Sequence, residues 1–219
     1  MASDKYMQAY LKSLKDPLPE LAEAFKAELS FFAKYINKIG KDNNDILDLG
    51  CGNGRVISRL GRKFRYSYFL GMDNNPMILE YAMKKRRINV DFDIGDALNT
   101  KLHRGYDMTF TAYNVIGIFN EKDLERLVKE ESRITNQDGY ILNTTMCTDD
   151  YTREFSERFY SDLDFHYKRL DNFKVVTKDM TFRRVPISEL ASAYEKAGID
   201  ILEVTKLGQI FMGIAGRKK

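Results

Sequence analysis

The run Ile46-Leu47-Asp48-Leu49-Gly50-Cys51-Gly52-Asn53-Gly54-Arg55 joins a short apolar segment to three glycines on alternate positions, with a carboxylate two residues before the first. A carboxylate between Leu47 and Leu49 is desolvated beneath the turn, which is unfavourable unless a cation or a set of donors meets it. Gly50, Gly52 and Gly54 let a ligand reach the backbone and permit dihedrals closed to other residues. A helix starting near Asn53 points free N–H groups at anything anionic in the loop. One ligand with an ammonium and a carboxylate at the same end satisfies Asp48 and the helix terminus together. An amino-acid tail has both.

Two more acids stand where they could extend such a site. Asp73, in Gly71-Met72-Asp73-Asn74-Asn75-Pro76-Met77, lies 19 residues past Gly54, about where dinucleotide folds place the carboxylate that takes a vicinal diol of ribose. Asp96 closes a third apolar run in Gly95-Asp96-Ala97. Taken singly, Asp73 could cap the helix beginning at Pro76 and Asp96 could be a turn residue. A dinucleotide is the rival ligand. Here the third glycine of G-x-G-x-x-G falls at Arg55, where close helix–strand packing wants no side chain, and Asp48 would repel a pyrophosphate. No G-x-x-x-x-G-K-[ST] run is present, which removes a phosphate-cradling loop of that kind.

The elements that must position these residues follow from hydrophobic periodicity. Leu21, Phe25, Leu29, Phe32 and Ile36 recur at three- and four-residue intervals, predicting a helix over 20–38 with Gly40 as its stop. Apolar runs at 45–49, 66–72, 90–94, 106–112 and 139–146 alternate with segments of helical length at 55–62, 76–87 and 121–135. Strands alternating with helices imply a parallel sheet. Pro76 suits a first helical turn, and Lys84-Lys85-Arg86-Arg87 is expected to close that helix as a solvated basic end. A last helix, Ile187 to Ala197, is closed by Gly198. The runs Ile199–Leu207 and Ile210–Ala215 then flank only Gly208-Gln209, which forces antiparallel pairing.

With these residues in place, the chain resembles a class I, Rossmann-like S-adenosylmethionine (SAM) dependent methyltransferase, well over residues 45–145 and more loosely at the C-terminal helix and hairpin. Asp48-Leu49-Gly50-Cys51-Gly52-Asn53-Gly54 is similar to the family's first motif, Asp73 to the acid of its second, and Asp96 to that of its third. The resemblance implies a three-layer sandwich with a mostly parallel seven-stranded sheet, an antiparallel C-terminal hairpin and extra N-terminal helices. It implies SAM as cofactor and S-adenosylhomocysteine (SAH) as product, with Asp48, Gly50, Cys51, Gly52, Gly54, Asp73, Asn74, Asp96, Ala97 and Tyr113 as cofactor-binding residues. Asp73 would take the ribose hydroxyls, Asp96 the adenine amino group, and the Ala97 N–H the ring. Thr111-Ala112-Tyr113-Asn114-Val115-Ile116 would line the cleft between cofactor and acceptor. Asp107 is expected to be structural. Asn114-Val115-Ile116-Gly117 stands where an Asn-Pro-Pro-Tyr type motif would mark transfer to adenine N6 or glutamine, which disfavours those acceptors.

One domain over 1–219 is expected, with a helical cap at 1–40 and an acceptor-covering insertion at 147–186. That insertion is dense in Tyr151, Phe155, Phe159, Tyr160, Phe165, Tyr167, Phe173 and Phe182. It reads either as a helix at 152–160 and a strand pair around 173–184 with Arg183 and Arg184 solvated, or as a lid whose aromatics, with Arg169 or Arg183, close on a small anionic acceptor. Tyr6 and Tyr10 could close over the cofactor from the other side. No base is evident. His166 and Tyr113 are the candidates, and His103 lies in a polar connection. A net charge of +3 from 35 basic and 32 acidic residues gives little support for a nucleic-acid partner, for which Arg62-Lys63, Lys84–Arg87 and Arg217-Lys218-Lys219 are the only encouragement. A small-molecule acceptor is therefore expected first; RNA or protein transfer, or a SAM-binding subunit without catalysis, are the alternatives. Cys51 and Cys147 show no metal spacing and read as free thiols. No apolar leader and no stretch near ~20 apolar residues is visible, so a cytoplasmic chain without a bound metal is expected.

Overall fold

The computed structural model describes residues 4–103, 105–163, 166–178 and 180–219, and only the backbone of 4–7, 9 and 10. The side chains of Tyr6 and Tyr10, and Phe165, thus lie outside the described residues. In chain order the elements are α1 (Asp4–Lys15), α2 (Pro19–Ile39), β1 (Asp45–Leu49), α3 (Arg55–Lys63), β2 (Tyr68–Asp73), α4 (Pro76–Met83), β3 (Val90–Ile94) and β4 (Tyr106–Thr111). A single 3-10 turn (Val115–Ile118) leads to α5 (Glu121–Ile134), β5 (Thr135–Met146), α6 (Asp150–Asp162), β6 (Arg169–Leu170), β7 (Lys174–Val176), β8 (Thr181–Arg183), α7 (Ile187–Lys196), β9 (Ile199–Leu207) and β10 (Phe211–Lys218).

β1 and β4 are almost wholly buried because they sit mid-sheet with helices on both faces. The main sheet runs β3-β2-β1-β4-β5-β10-β9, parallel from β3 to β5 and antiparallel at β10 and β9. Strand order reverses between β1 and β4. Loops leaving the carboxyl ends of these two strands therefore diverge, opening a crevice where doubly wound sheets bind ligands. The mostly parallel sheet with its C-terminal hairpin is the architecture the sequence predicts, and the insertion forms α6 and a separate three-stranded sheet, β6-β7-β8, rather than a helix and one strand pair.

α2 begins at Pro19, whose missing N–H is harmless in a first turn, and ends at Gly40, which takes a left-handed φ of 75°. Its buried stripe is Leu21, Phe25, Glu28, Phe32 and Tyr35, with Glu28 fully buried where the periodicity had placed Leu29. α4 stops at Met83, four residues short of the expected end. Arg87 exchanges backbone hydrogen bonds with Val90, and Lys85 turns back to donate its ammonium to the Asn53 carbonyl at 2.7 Å. The basic run is thus a connection and a brace for the glycine loop, not a helix end. Asp107 is structural as expected: it accepts from the Asp45 N–H, Lys41 and Asn136 at 2.9, 2.8 and 3.1 Å.

A polar network is buried where α5 meets β5. Asn143 donates to Glu131 at 3.0 Å and to the Tyr194 hydroxyl at 2.8 Å, while its carbonyl accepts from Thr111. Glu131 Oε1 has no hydrogen-bond partner among the described residues, and burial pushes the Glu131 carboxyl up to about 8 from 4.5, opposed by the Asn143 bond. Between those values the folded state binds a proton that the unfolded chain has released, so stability falls as pH rises through that window. The slope should reach at most about 1.4 kcal/mol per pH unit. Denaturant melts at pH 5, 6, 7 and 8 should show the decline in the wild type and its loss in Glu131→Gln; equal slopes would refute the assignment.

Candidate active site

The crevice is a cavity of about 710 Å³ whose wall includes Asp48, Gly50, Cys51, Gly52, Asp73, Asn74 and Tyr113. That volume is ample for a ligand of cofactor size. Gly50 takes a φ of 72°, and a Cβ there would stand 2.6 Å from a Val115 methyl, so only glycine lets the loops after β1 and β4 approach this closely. Gly54 is in the same conformation, and its Cβ would overlap the Phe92 ring at 2.5 Å. It is packed against the sheet rather than lining the cavity. Below the turn, Asp48 is 1% exposed, and neither of its oxygens has a hydrogen-bond partner among the described residues. Burial, reinforced by the nearby Glu28 charge, holds the Asp48 carboxyl well above its ordinary range, with Arg55 pulling the other way.

Arg55 opens α3, where a third glycine would stand in a dinucleotide fold. Its Nη2 donates to Glu28 at 2.6 Å and its guanidinium lies 3.7 Å from the centre of the Phe25 ring, while Nη1 is buried without a hydrogen-bond partner among the described residues. The cavity wall therefore holds two polar groups without hydrogen-bond partners among the described residues, the Asp48 carboxyl and Arg55 Nη1. That pairing matches an aminobutyrate end, ammonium to Asp48 and carboxylate to Arg55 and the start of α3. Asp73 sits at the end of β2, held by the Gly52 N–H at 2.9 Å and the Asn75 N–H at 3.0 Å. Desolvation raises its carboxyl despite these bonds. The lone pairs left over face the cavity and suit a vicinal diol.

After β4 the chain places two successive non-glycine residues in left-handed backbone, Tyr113 at φ 54° and Asn114 at φ 58°. Such strain persists only where the surroundings over-determine it. The Tyr113 N–H donates to Glu28 at 2.7 Å and to Thr144 at 3.1 Å. The Asn114 carbonyl oxygen accepts from Thr145 and from the Met146 N–H, both at 3.2 Å, and its amide donates to the Arg183 carbonyl at 2.9 Å. Thr144 also donates to Glu28 at 2.7 Å. One buried carboxylate on α2 thus fixes the loops after β1 and β4 against β5.

Comparison with known proteins agrees with this geometry. Residues 46–139 match the family model described as a methyltransferase domain. Over 104 residues the chain is 33% identical to the ribosomal protein L11 methyltransferase of Thermosipho africanus, covering 45% of this chain and 39% of that one. The chain spans about two fifths of the length of the first curated relatives it matches. The PH0226 protein of Pyrococcus horikoshii OT3 shares the fold over all of both chains, with a TM-score of 0.75 at 16% identity. Magnesium protoporphyrin IX methyltransferase of Synechocystis PCC 6803, solved with bound SAH, does so over 99% of this chain and 95% of its own, with a TM-score of 0.73 at 10% identity. Residues 46–139 are thus a methyltransferase domain, and the chain as a whole has the Rossmann-like fold of SAM-dependent methyltransferases.

SAM is the cofactor of this methyltransferase family, and the orphaned Asp48 and Arg55 groups fit its zwitterionic end. Of the residues expected at the site, Asp48, Gly50, Cys51, Gly52, Asp73, Asn74 and Tyr113 share the cavity wall. Asp96 and Ala97 do not. Asp96 is exposed and accepts from the Leu98 N–H at 2.9 Å, forming the turn after β3. Cys51 and Cys147 are buried free thiols. Tyr113 packs edge-on against Phe25 at 5.2 Å and Phe211 at 5.9 Å, and burial raises its phenol, opposed by a hydrogen bond with Ser13, so it keeps its proton. His166 and His103 are exposed and outside the wall. No cluster that could hold a metal ion occurs among the described residues.

Sequence reasoning passed over Glu28, Arg55 and Arg184. Glu28 had a legible signal, an acid on the apolar stripe of α2; Arg55 was noticed only as a misplaced glycine. Arg169 is exposed and paired with Asp171, and Arg183 is engaged by Glu189 at 2.6 and 2.7 Å and by the Phe119 carbonyl at 3.1 Å. The neighbouring Arg184, which one of the two readings placed in solvent, is instead buried in the cavity wall.

Proposed function

We propose that this chain transfers a methyl group from SAM to a small-molecule acceptor, an EC 2.1.1 reaction, within the cavity between the sheet and the insertion. The observation that carries this reading is the continuity of one wall. The residues that fit the cofactor's amino-acid end, Asp48 and Arg55, share it with Phe155, Phe159 and Tyr160 of α6 and Val175 and Phe182 of the small sheet. Asp48, the Gly50–Gly54 loop, Asp73 and Asn74 would hold the cofactor, and the aromatics would hold the acceptor.

Bound SAM supplies an electrophilic methyl on a sulfonium. What the chain adds is placement. The strained Tyr113-Asn114 segment and the Val115 side chain over Gly50 fix the floor, and the α6 aromatics exclude water, so that an acceptor atom can lie in line with the departing bond. No residue on the wall is poised as a base, which suits acceptors that are nucleophilic without one. Two of the three basic runs are partly neutralised, which weakens the case for an RNA acceptor: Arg86 pairs with Asp91, Arg217 with Asp138 and Lys219 with Asp200.

Titration calorimetry with SAM and SAH tests the cofactor site, and Asp73→Ala should weaken both by about 1.5–3 kcal/mol through lost charge-assisted hydrogen bonds. Unchanged affinity would remove the ribose assignment. SAH release with a panel of small acceptors then tests the reaction. RNA binding that weakens steeply with salt would favour a nucleic-acid acceptor instead, and cofactor binding without transfer to any partner would favour a regulatory subunit.

A further inference from the structure

Arg184 follows β8 and is 2% exposed on the cavity wall, the largest of the fully buried side chains. Its Nη1 donates to the Asp171 backbone carbonyl, while Nε and Nη2 have no partner among the described residues. Those two nitrogens share one edge of the guanidinium, so the vacant donors form a planar fork of the spacing that takes two oxygens of one oxyanion. The acids in its neighbourhood are committed elsewhere. Asp171 accepts from the Phe173 and Lys174 N–H groups and from Arg169; Asp149 caps α6 through the Thr152 N–H and lies 3.7 Å from Lys206. A buried guanidinium without a counter-charge is unfavourable, so a ligand that supplies one gains affinity from it.

We propose that Arg184 is the anchor for a carboxylate on the methyl acceptor, an inference that rests on the methyltransferase reading of the same cavity. The charge count on the wall selects a monoanion. Arg55 is neutralised by Glu28 and Arg183 by Glu189, which leaves Arg184 as the one wall arginine without an acidic partner among the described residues. A phosphate dianion would need a second cation. The same wall carries Phe155, Phe159, Tyr160, Leu163, Val175 and Met180, a largely apolar surface with Ser156 and Thr181 among it. The acceptor is therefore a small carboxylic acid with an aliphatic or aromatic body, held by its carboxylate while another atom meets the methyl group.

The test uses the full chain saturated with SAH and titrated with benzoate and hexanoate, with benzamide and hexanamide as neutral shape-matched controls and phenyl phosphate as the dianion. At least one carboxylate should bind ten-fold or more tightly than its amide. In Arg184→Met that preference should vanish while SAH affinity stays within two-fold. The same variant should melt at a higher temperature than the ligand-free wild type, because an unpaired buried charge is gone. Arg184→Lys, which keeps the charge and loses the fork, should recover only part of the preference. Equal binding of acid and amide, no binding of either acid to the wild-type SAH complex, a preference for phenyl phosphate, or full carboxylate binding by Arg184→Met would each overturn the proposal. Failure of SAH itself to bind would instead sink the methyltransferase reading, and is read separately.

Discussion

Glu28→Ala should lose about 3–5 kcal/mol of folding stability, the usual consequence of stripping one partner from a buried ion pair. The carboxylate is fully buried and receives Arg55 Nη2 at 2.6 Å, the Tyr113 N–H at 2.7 Å and the Thr144 hydroxyl at 2.7 Å. Its removal leaves a guanidinium with only an aromatic face for company and a strained backbone N–H with one support fewer. Because the penalty is an orphaned charge and not a lost contact, Glu28→Leu combined with Arg55→Met should recover most of it. Urea denaturation of the two single variants and the double variant measures this as a coupling free energy. A loss below about 1 kcal/mol in Glu28→Ala, far from the expected range, would mean that the α2 carboxylate is not the clasp described above.

Asp48→Asn should act on the opposite quantity, weakening SAH by about 2–4 kcal/mol while leaving the ligand-free protein at least as stable. Asp48 has no partner to lose within the described residues, so the amide costs the ligand-free fold no hydrogen bond. In the complex it would face the cofactor's ammonium, and the amide can offer only a dipole. Since burial first raises the Asp48 carboxyl, and an ammonium beside it favours the ionised form, cofactor binding should release a proton. Calorimetry in buffers of different ionisation enthalpy should detect that proton in the wild type and not in Asp48→Asn. Equal affinities would place the ammonium elsewhere.

Much of this was legible in the chain because it depends on local constraints. Three glycines on alternate positions behind an apolar strand demand a tight turn whatever surrounds them, and Gly208-Gln209 between two apolar runs permits only a hairpin. The alternation of strands and helices, the C-terminal hairpin and the positions of Asp48 and Asp73 followed from such spacing, while the seven-stranded sheet was implied by the family resemblance. Boundaries set by distant partners did not: α4 ends at Met83 because Lys85 reaches the Asn53 carbonyl, 32 residues away.

The sequence by itself determined the fold, the glycine turn and the two strand-end acids, since backbone sterics and hydrophobic period act between near neighbours. Only the tertiary structure decided which charges have partners. Glu28 meets Arg55 across 27 residues and Thr144 across 116, Arg183 finds Glu189, and Arg184 finds no acid among the described residues. Side chains adjacent in the chain, Arg183 and Arg184, end in opposite electrostatic circumstances because the backbone after β8 turns one toward α7 and buries the other beside α6. Burial multiplies the strength of a charge, and no spacing rule reveals which of two neighbouring cations will be left unpaired inside.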